Sequence, residues 1–118
     1  MKKFLAIYIG TPAGFERARW NELDAAGQAA RRRSGMEAWR DWAVANSSVI
    51  RDHGTPLGKT KSASPDGIAD IKNTMVGYVI LEADSHEAAA RLFDNHPHFT
   101  IFPGDSVEIM ECLPMPSL

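Results

Sequence analysis

The chain has 118 residues, of which 44% are hydrophobic and 24% are charged. This composition predicts one globular domain spanning residues 1–118. The formal net charge of −2 gives no electrostatic basis for binding nucleic acid, and no apolar segment approaches the roughly 20 residues of a membrane span. The single cysteine, Cys112, cannot form an internal disulfide. We therefore expect a cytoplasmic protein whose partners are neither nucleic acid nor membrane.

The first half of the chain is predicted to form one strand followed by two helices. Residues 4–9 are rich in β-branched and aromatic side chains and end at a Gly-Thr-Pro break, which predicts a strand; the apolar run is too short for a signal peptide. Residues 15–33 contain few helix breakers, and the Ser-Gly pair at 34–35 is expected to separate them from a second helix. That second helix carries an apolar face formed by Met36, Trp39, Trp42, Ala43, Asn46, Val49 and Ile50.

The second half is predicted to contain further strands and one more helix. A polar stretch holds a strand at residues 57–61 and a short strand at 68–71, whereas the apolar stretch at 74–83 indicates a stronger strand. Ser85 is a good helix N-cap residue. The helix that it begins is expected to end at the Asn-His-Pro sequence of residues 95–97, because the residue before proline disfavours the α conformation.

The order of these elements predicts the α+β class. A last strand at residues 106–113 is followed by a proline-rich tail, residues 114–118, which we expect to be poorly ordered. The order strand, helices, strands, helix and strand favours a ferredoxin-like antiparallel sheet with helices on one face. The strand at 74–83 is apolar on both faces, although one face of such a sheet normally meets water. Because no segment is left to cover the second face, we expect a homodimer with its sheets packed face to face.

Histidines are the leading candidates for acid–base chemistry, because the imidazole pKa lies near neutral pH. His96 lies where the helix that begins at Ser85 is predicted to end, so it is either a cap favoured by the helix dipole, with no chemistry, or a general acid or base. His53, in the turn after the long helix, is the second candidate. Asp84 and Asp105 lie near the helix that ends at His96 and could orient a histidine, or they could simply form turns.

The sequence predicts neither a metal nor a cofactor. It lacks a phosphate loop, a dinucleotide-binding glycine motif and a paired Cys-x-x-Cys motif. His96 and His98 lie two positions apart, but no third ligand is evident. A small-molecule ligand is expected instead in a pocket between helix and sheet, although a tryptophan on an apolar helix face is more often a core residue. The predicted pocket residues are Trp39, Tyr78 and Phe99.

Several short motifs, taken in order along the chain, resemble the YCII-related domain family. They are Gly-Thr-Pro-Leu-Gly at residues 54–58, Gly-Tyr-Val-Ile-Leu-Glu-Ala-Asp-Ser at 77–85, the Ala-rich helix that leads to the His-Pro pair at 96–97, and Pro-Gly-Asp-Ser-Val-Glu-Ile at 103–109. The resemblance implies a dimeric α+β barrel, in which two ferredoxin-like chains close around facing sheets. The family is related to muconolactone-isomerase-like proteins, and some relatives act as lyases or dehydrochlorinases on small ring compounds.

The chain departs from the family pattern on its long helix. Better-known members pair a histidine on this helix with an aspartate near its end, whereas this chain has Glu37 and Trp39 at the first position and Asn46 at the second. Acid–base chemistry would therefore depend on His53 or His96. Two hypotheses follow: a cofactor-free lyase or isomerase that acts by proton transfer, or a non-catalytic dimeric module that binds a small ligand or serves a regulatory role.

Overall fold

The computed structural model describes residues 1–117, which form a four-stranded sheet, a separate two-stranded hairpin and four α-helices. The strands are β1 (Lys2–Ile9), β2 (Ile50–Asp52), β3 (Thr60–Ser64), β4 (Gly67–Ile71), β5 (Met75–Ala83) and β6 (Ser106–Glu111). The helices are α1 (Pro12–Arg17), α2 (Ala25–Ala45), α3 (His86–Arg91) and α4 (Pro97–Thr100), with one 3-10 turn at Trp20–Glu22. Within the same residues, no helix is long and apolar enough to cross a membrane.

The main sheet is antiparallel and has the strand order β2-β5-β1-β6. β1 pairs along its length with β5, from Lys2 opposite Ala83 to Ile9 opposite Met75. On its other side β1 pairs with β6, and the short strand β2 pairs with β5. The α+β class and the antiparallel sheet are thus confirmed, and the first strand of the chain is a central strand of the ferredoxin-like order.

The core lies between one face of this sheet, here called the inner face, and the helices. Successive side chains of a strand point to opposite faces, so alternate residues of β1 and β5 meet the helices. The buried inner-face residues include Phe4, Ala6, Tyr8, Val79 and Leu81. The opposite, outer face is also apolar, and its residues include Leu5, Ile7, Ile9, Ile80 and Met110.

The helical segment before β2 is broken earlier than the sequence predicted. The chain turns at Arg19, which has a φ of 54°, and α2 begins after Asp24, whose carboxylate accepts a hydrogen bond from the Gly27 backbone N–H at 2.7 Å. The predicted break at Gly35 is wrong, because α2 continues through it. Gly35 instead admits the ring of Phe102, since a Cβ there would lie 2.5 Å from Phe102 Cε2.

The polar stretch between β2 and β5 forms the hairpin of β3 and β4. β3 begins at Thr60, which pairs with Ile71 of β4, so the predicted strand at residues 57–61 lies too early. The predicted short strand at 68–71 is confirmed as most of β4. The hairpin is a separate sheet, joined to the main sheet through a single bridge between Pro56 and Gly77 at its base.

The helix predicted to run from Ser85 to residues 95–97 ends earlier, at Arg91, and a separate short helix, α4, begins at Pro97. Ser85 caps α3 as predicted, by accepting a hydrogen bond from the Ala88 backbone N–H at 3.0 Å. The chain then turns at Asn95, which has a φ of 57°, and His96 is the N-cap of α4. The interpretation of His96 as a C-terminal cap is therefore wrong, because Pro97 is better suited to the first turn of a new helix.

In the described residues that follow β6, 112–117, the chain has no regular secondary structure. Residues 114–117 form neither helix nor strand, and residue 118 of the predicted tail lies outside the described residues. Poor order of this tail stays a prediction. Cys112, the residue directly after β6, is exposed.

Candidate functional site

A cavity of about 840 Å³ lies at one end of the main sheet, between the adjoining ends of β1 and β5 and the helices α1 and α2. Its volume falls in the range of about 300–1,000 Å³ that is typical of small-molecule sites. Its walls are largely apolar and aromatic, and they include Phe15, Met36, Trp39, Val76, Tyr78 and Phe102. Groups suited to proton transfer come from Tyr8, His53 and His98.

Tyr8, near the end of β1, is held by His96. His96 is completely buried, and its Nδ1 accepts a hydrogen bond from the backbone N–H of His98 at 3.0 Å. Because Nδ1 is an acceptor, the neutral ring carries its hydrogen on Nε2. That N–H donates to Tyr8 Oη at 3.4 Å. The hydroxyl hydrogen of Tyr8 is therefore left for another acceptor.

Aromatic side chains enclose the ring of His96. The centroids of Trp39 and Trp42 lie 4.5 and 4.7 Å from its centroid. Burial is the main cause, and the neighbouring His98 a second one, of a pKa that falls from 6.5 to about 3 for His96. Burial also raises the pKa of Tyr8 above its ordinary value. At neutral pH the pair is consequently an uncharged imidazole and an uncharged phenol.

His98 lines the cavity from the first turn of α4. Its Nε2 lies 2.8 Å from the carbonyl oxygen of Ile9. A carbonyl can only accept, so Nε2 carries the hydrogen and Nδ1 is the basic atom of the neutral ring. Burial lowers the pKa of His98, while hydrogen bonds to the carbonyls of Ile9 and Ser106 and the charge of Asp105 oppose this change. The ring centroid of His98 lies 5.2 Å from that of Tyr8, which places a base beside a hydrogen-bond donor.

Three of the residues selected from the sequence line the cavity: His53, Trp39 and Tyr78. His53 is exposed and lies directly after β2. Phe99 is 38% exposed and is not among the lining residues, because α4 presents His98 to the cavity instead. The predicted pocket therefore forms around Trp39 and Tyr78 without Phe99.

The two candidate carboxylates do not contact His96. Asp84 is exposed between β5 and α3. Asp105 accepts hydrogen bonds from the Thr11 backbone N–H and from Nη2 of Arg17, the latter at 2.9 Å. The expected pairing of His96 with an aspartate is thus corrected, because His96 has its own partners in a backbone N–H and a phenol.

Tyr8 and His98 were not selected from the sequence. Tyr8 shares its strand face with Phe4 and Ala6, a pattern that predicts only an apolar strand, although a buried phenol usually has a hydrogen-bond partner. From the sequence, His98 is a candidate only as a metal ligand together with His96. The signal that could have found it is the His-Pro-His sequence itself, since proline at the first position of a helix places His98 in the first turn.

The cavity wall contains few charged groups. Glu16 is its carboxylate, and the lining residues in the described part of the chain include no lysine or arginine. Nowhere in residues 1–117 do three or more His, Cys, Asp or Glu side chains form a group that could hold a metal ion. Because its walls are largely apolar and aromatic, the site is suited to an organic molecule that makes most of its contacts with such side chains.

Fold and cavity together define an α+β protein with a ferredoxin-like sheet and a site of small-molecule size. No protein-family model matches the chain, and no curated protein matches it significantly. Three chains of known structure are similar. One is the 5-chloro-2-hydroxyhydroquinone dehydrochlorinase (TftG) of Burkholderia phenoliruptrix AC1100, solved in complex with 2,5-dihydroxybenzoquinone. It is 15% identical, with a TM-score of 0.54 over 92% of this chain and 90% of that chain. The similarity shows a shared fold.

Proposed function

We propose that this chain binds a small organic molecule in the cavity and acts on it by proton transfer, as a cofactor-free lyase or isomerase. The observation that carries the proposal is the pairing of Tyr8, a donor, with His98, a base, on the wall of one apolar cavity. A perturbed acid–base pair in a cleft is a common arrangement in catalytic sites. The dehydrochlorinase named among the structural neighbours also supports lyase-type chemistry.

The chemistry starts at a carbon atom beside a carbonyl group of the ligand. Nδ1 of His98 takes the proton, the C–H electron pair becomes the C=C bond of an enolate, and the carbonyl π electrons move to oxygen. The Tyr8 hydroxyl donates to that oxygen as charge develops. The Ile9 carbonyl and the charge of Asp105 stabilise the protonated His98. Return of the proton to another carbon completes an isomerisation, whereas departure of a leaving group with its electron pair completes an elimination.

The predicted catalytic histidines take different places in this proposal. His53 lines the same cavity and is exposed. It is therefore suited to exchange with solvent the proton of the second step, the one that is returned to the ligand. His96 lies behind Tyr8 and does not line the cavity. Asp105 contributes through its charge near His98, and the structure gives Asp84 no contact with the cavity lining.

A metabolite-library thermal-shift screen, followed by incubation of each hit in D₂O, tests the proposal. A proton-transfer enzyme should incorporate deuterium at a carbon atom of its ligand, which NMR detects as loss of a C–H signal. We expect His98→Asn and Tyr8→Phe each to slow the incorporation by about 100-fold or more. The matched control is His86→Asn, because His86 is exposed and outside the cavity lining. Incorporation that survives His98→Asn would refute the assignment of the base.

The second candidate function is a non-catalytic module that holds the same ligand or serves as a regulatory dimer. The observation in its favour is that the cavity lacks a hydrogen-bonded histidine–carboxylate pair. This candidate predicts hits that raise the melting temperature, lose affinity in a Trp39→Ala variant, and incorporate no deuterium.

The finer identity of the fold is part of the same proposal. We propose that the chain is a YCII-related protein, located in the cytoplasm, and that two copies pack outer face to outer face as a dimeric α+β barrel. Supporting this, several apolar side chains lie on the outer face, and Met110 on β6 and Met75 on β5, which lies opposite Ile9, are each 44% exposed. Exposed apolar surface of this kind is typical of an interface.

Light scattering of two charged variants tests the dimer. Met110→Lys places an ammonium group on the outer face and should convert the dimer to a monomer at micromolar concentration. Val44→Lys is the control, because Val44 on α2 is 68% exposed. A wild-type protein that is already monomeric at this concentration would contradict the proposed packing.

A further inference from the structure

Two hydrogen bonds fix which way the Tyr8 hydroxyl group can act. The His98 backbone N–H occupies Nδ1 of His96, and Nε2 of His96 faces Tyr8 Oη. A hydrogen on Nδ1 would face a second donor at 3.0 Å, so both the other neutral tautomer and the imidazolium are excluded by the same contact. Tyr8 therefore receives a hydrogen bond from behind, and its own hydrogen is left for a ligand.

We propose that His96 is a positioning residue that makes Tyr8 a hydrogen-bond donor to the cavity, so that the site selects an uncharged ligand carrying an acceptor oxygen such as a carbonyl. This inference rests on the proposed function of the cavity as a ligand site. It adds that the ligand is an uncharged hydrogen-bond acceptor. With the opposite tautomer, Tyr8 would donate to His96 and present a lone pair, and the site would select a donor instead.

The charges of the cavity support an uncharged ligand. Among the described lining residues there is no lysine or arginine to balance a carboxylate or phosphate, and Glu16 would repel such groups. Burial lowers the pKa of His98 and so favours its neutral form, whereas its hydrogen bond to the Ile9 carbonyl opposes this change. A neutral carbonyl compound satisfies the Tyr8 donor without bringing an unpaired charge into an apolar site.

The role of His96 can be separated from its role as a helix cap. His96→Asn keeps an oxygen near the position of Nδ1, where it can accept from the His98 N–H, but it removes the donor to Tyr8. His96→Gln extends an amide N–H toward the position of Nε2 and gives up the cap. A positioning role predicts that Gln rescues ligand selection and Asn does not, whereas a purely structural role predicts the reverse.

The probes are acetophenone and α-methylstyrene, which have the same shape except that a C=O group replaces a C=CH₂ group. Protein-observed NMR titration at pH 7 should show wild type binding acetophenone about three- to tenfold more tightly, as expected for one neutral hydrogen bond. The preference should disappear in Tyr8→Phe and in His96→Asn, and it should persist in His96→Gln. The control His86→Asn changes an exposed imidazole outside the cavity lining and should keep the preference.

Long-range ¹H–¹⁵N correlation spectra supply a readout that needs no ligand. They should show His96 as the Nε2–H tautomer at pH 7. An Nδ1–H tautomer, or equal affinity of wild type for the two probes, would overturn the inference and leave the cavity standing as a proposed ligand site. Failure of both probes to shift any cavity resonance would overturn both the inference and the proposed ligand site.

Discussion

The buried imidazole of His96 should make the stability of this protein depend steeply on pH. Burial lowers the pKa of His96 from 6.5 to about 3. Between these two values the unfolded chain binds a proton at this position and the folded chain does not. The free energy of unfolding should therefore fall as the pH is lowered through this window, and the substitution His96→Asn should remove this contribution.

The magnitude follows from proton linkage. One proton of difference between the folded and unfolded states corresponds to about 1.4 kcal/mol for each pH unit. Between pH 5.5 and 4.0, both inside the window, wild type should lose about 2 kcal/mol more than His96→Asn. Such a loss is a large share of the roughly 5–15 kcal/mol that stabilises a typical domain. The lowered pKa of His98 acts in the same direction, but it is present in both proteins and largely cancels.

Urea unfolding followed by tryptophan fluorescence measures this difference. Trp39 and Trp42 pack on the His96 ring, so their emission should report loss of the core. The comparison uses the change in stability with pH, because His96→Asn also alters packing at every pH. The control is His53→Asn at an exposed position, which should keep the wild-type slope. Equal slopes for wild type and His96→Asn would refute the buried neutral imidazole.

Three further changes probe the scaffold by chemical denaturation. Gly54→Ala should destabilise by about 3 kcal/mol or more, because Gly54 has a φ of 67° and a Cβ there would lie 1.7 Å from the Tyr78 carbonyl oxygen; a loss below 1 kcal/mol would contradict this close approach. Phe4→Ala, in the fully buried core, should lower the free energy of unfolding by about 3–5 kcal/mol. A smaller loss would mean that neighbouring side chains move in to fill the space left by the Phe4 ring. Asp24→Ala removes the N-cap of α2 and should cost about 1 kcal/mol, whereas an unchanged midpoint would show that the cap is dispensable.

Elements with a strong local signal were predictable from the sequence. The apolar stretch at 74–83 and the first strand are both confirmed, and Ser85 caps its helix as predicted. The helix break predicted at Gly35 is wrong because a glycine can either interrupt a helix or allow a close contact within one. Only the three-dimensional packing of Phe102 on α2 tells which applies.

The site was less predictable because its contacts join distant parts of the chain. Tyr8 and His96 are 88 positions apart, and no local pattern relates a strand residue to a helix cap at that distance. Sequence reasoning therefore found His96 as a titratable group and missed the phenol that it contacts. It also assigned carboxylate partners by nearness in sequence, whereas Asp105 in fact pairs with Arg17.

The central position of β1 in the sheet has a consequence for how the protein is made. β1 hydrogen-bonds with β5 on one side and β6 on the other, and both of these strands are synthesised after α2 and the hairpin of β3 and β4. Until residues 75–111 emerge, β1 is an apolar strand with both edges unpaired, the condition that favours aggregation of nascent chains. Formation of the main sheet therefore waits until β5 and β6 have been synthesised, and a chain truncated before β6 would expose one edge of β1.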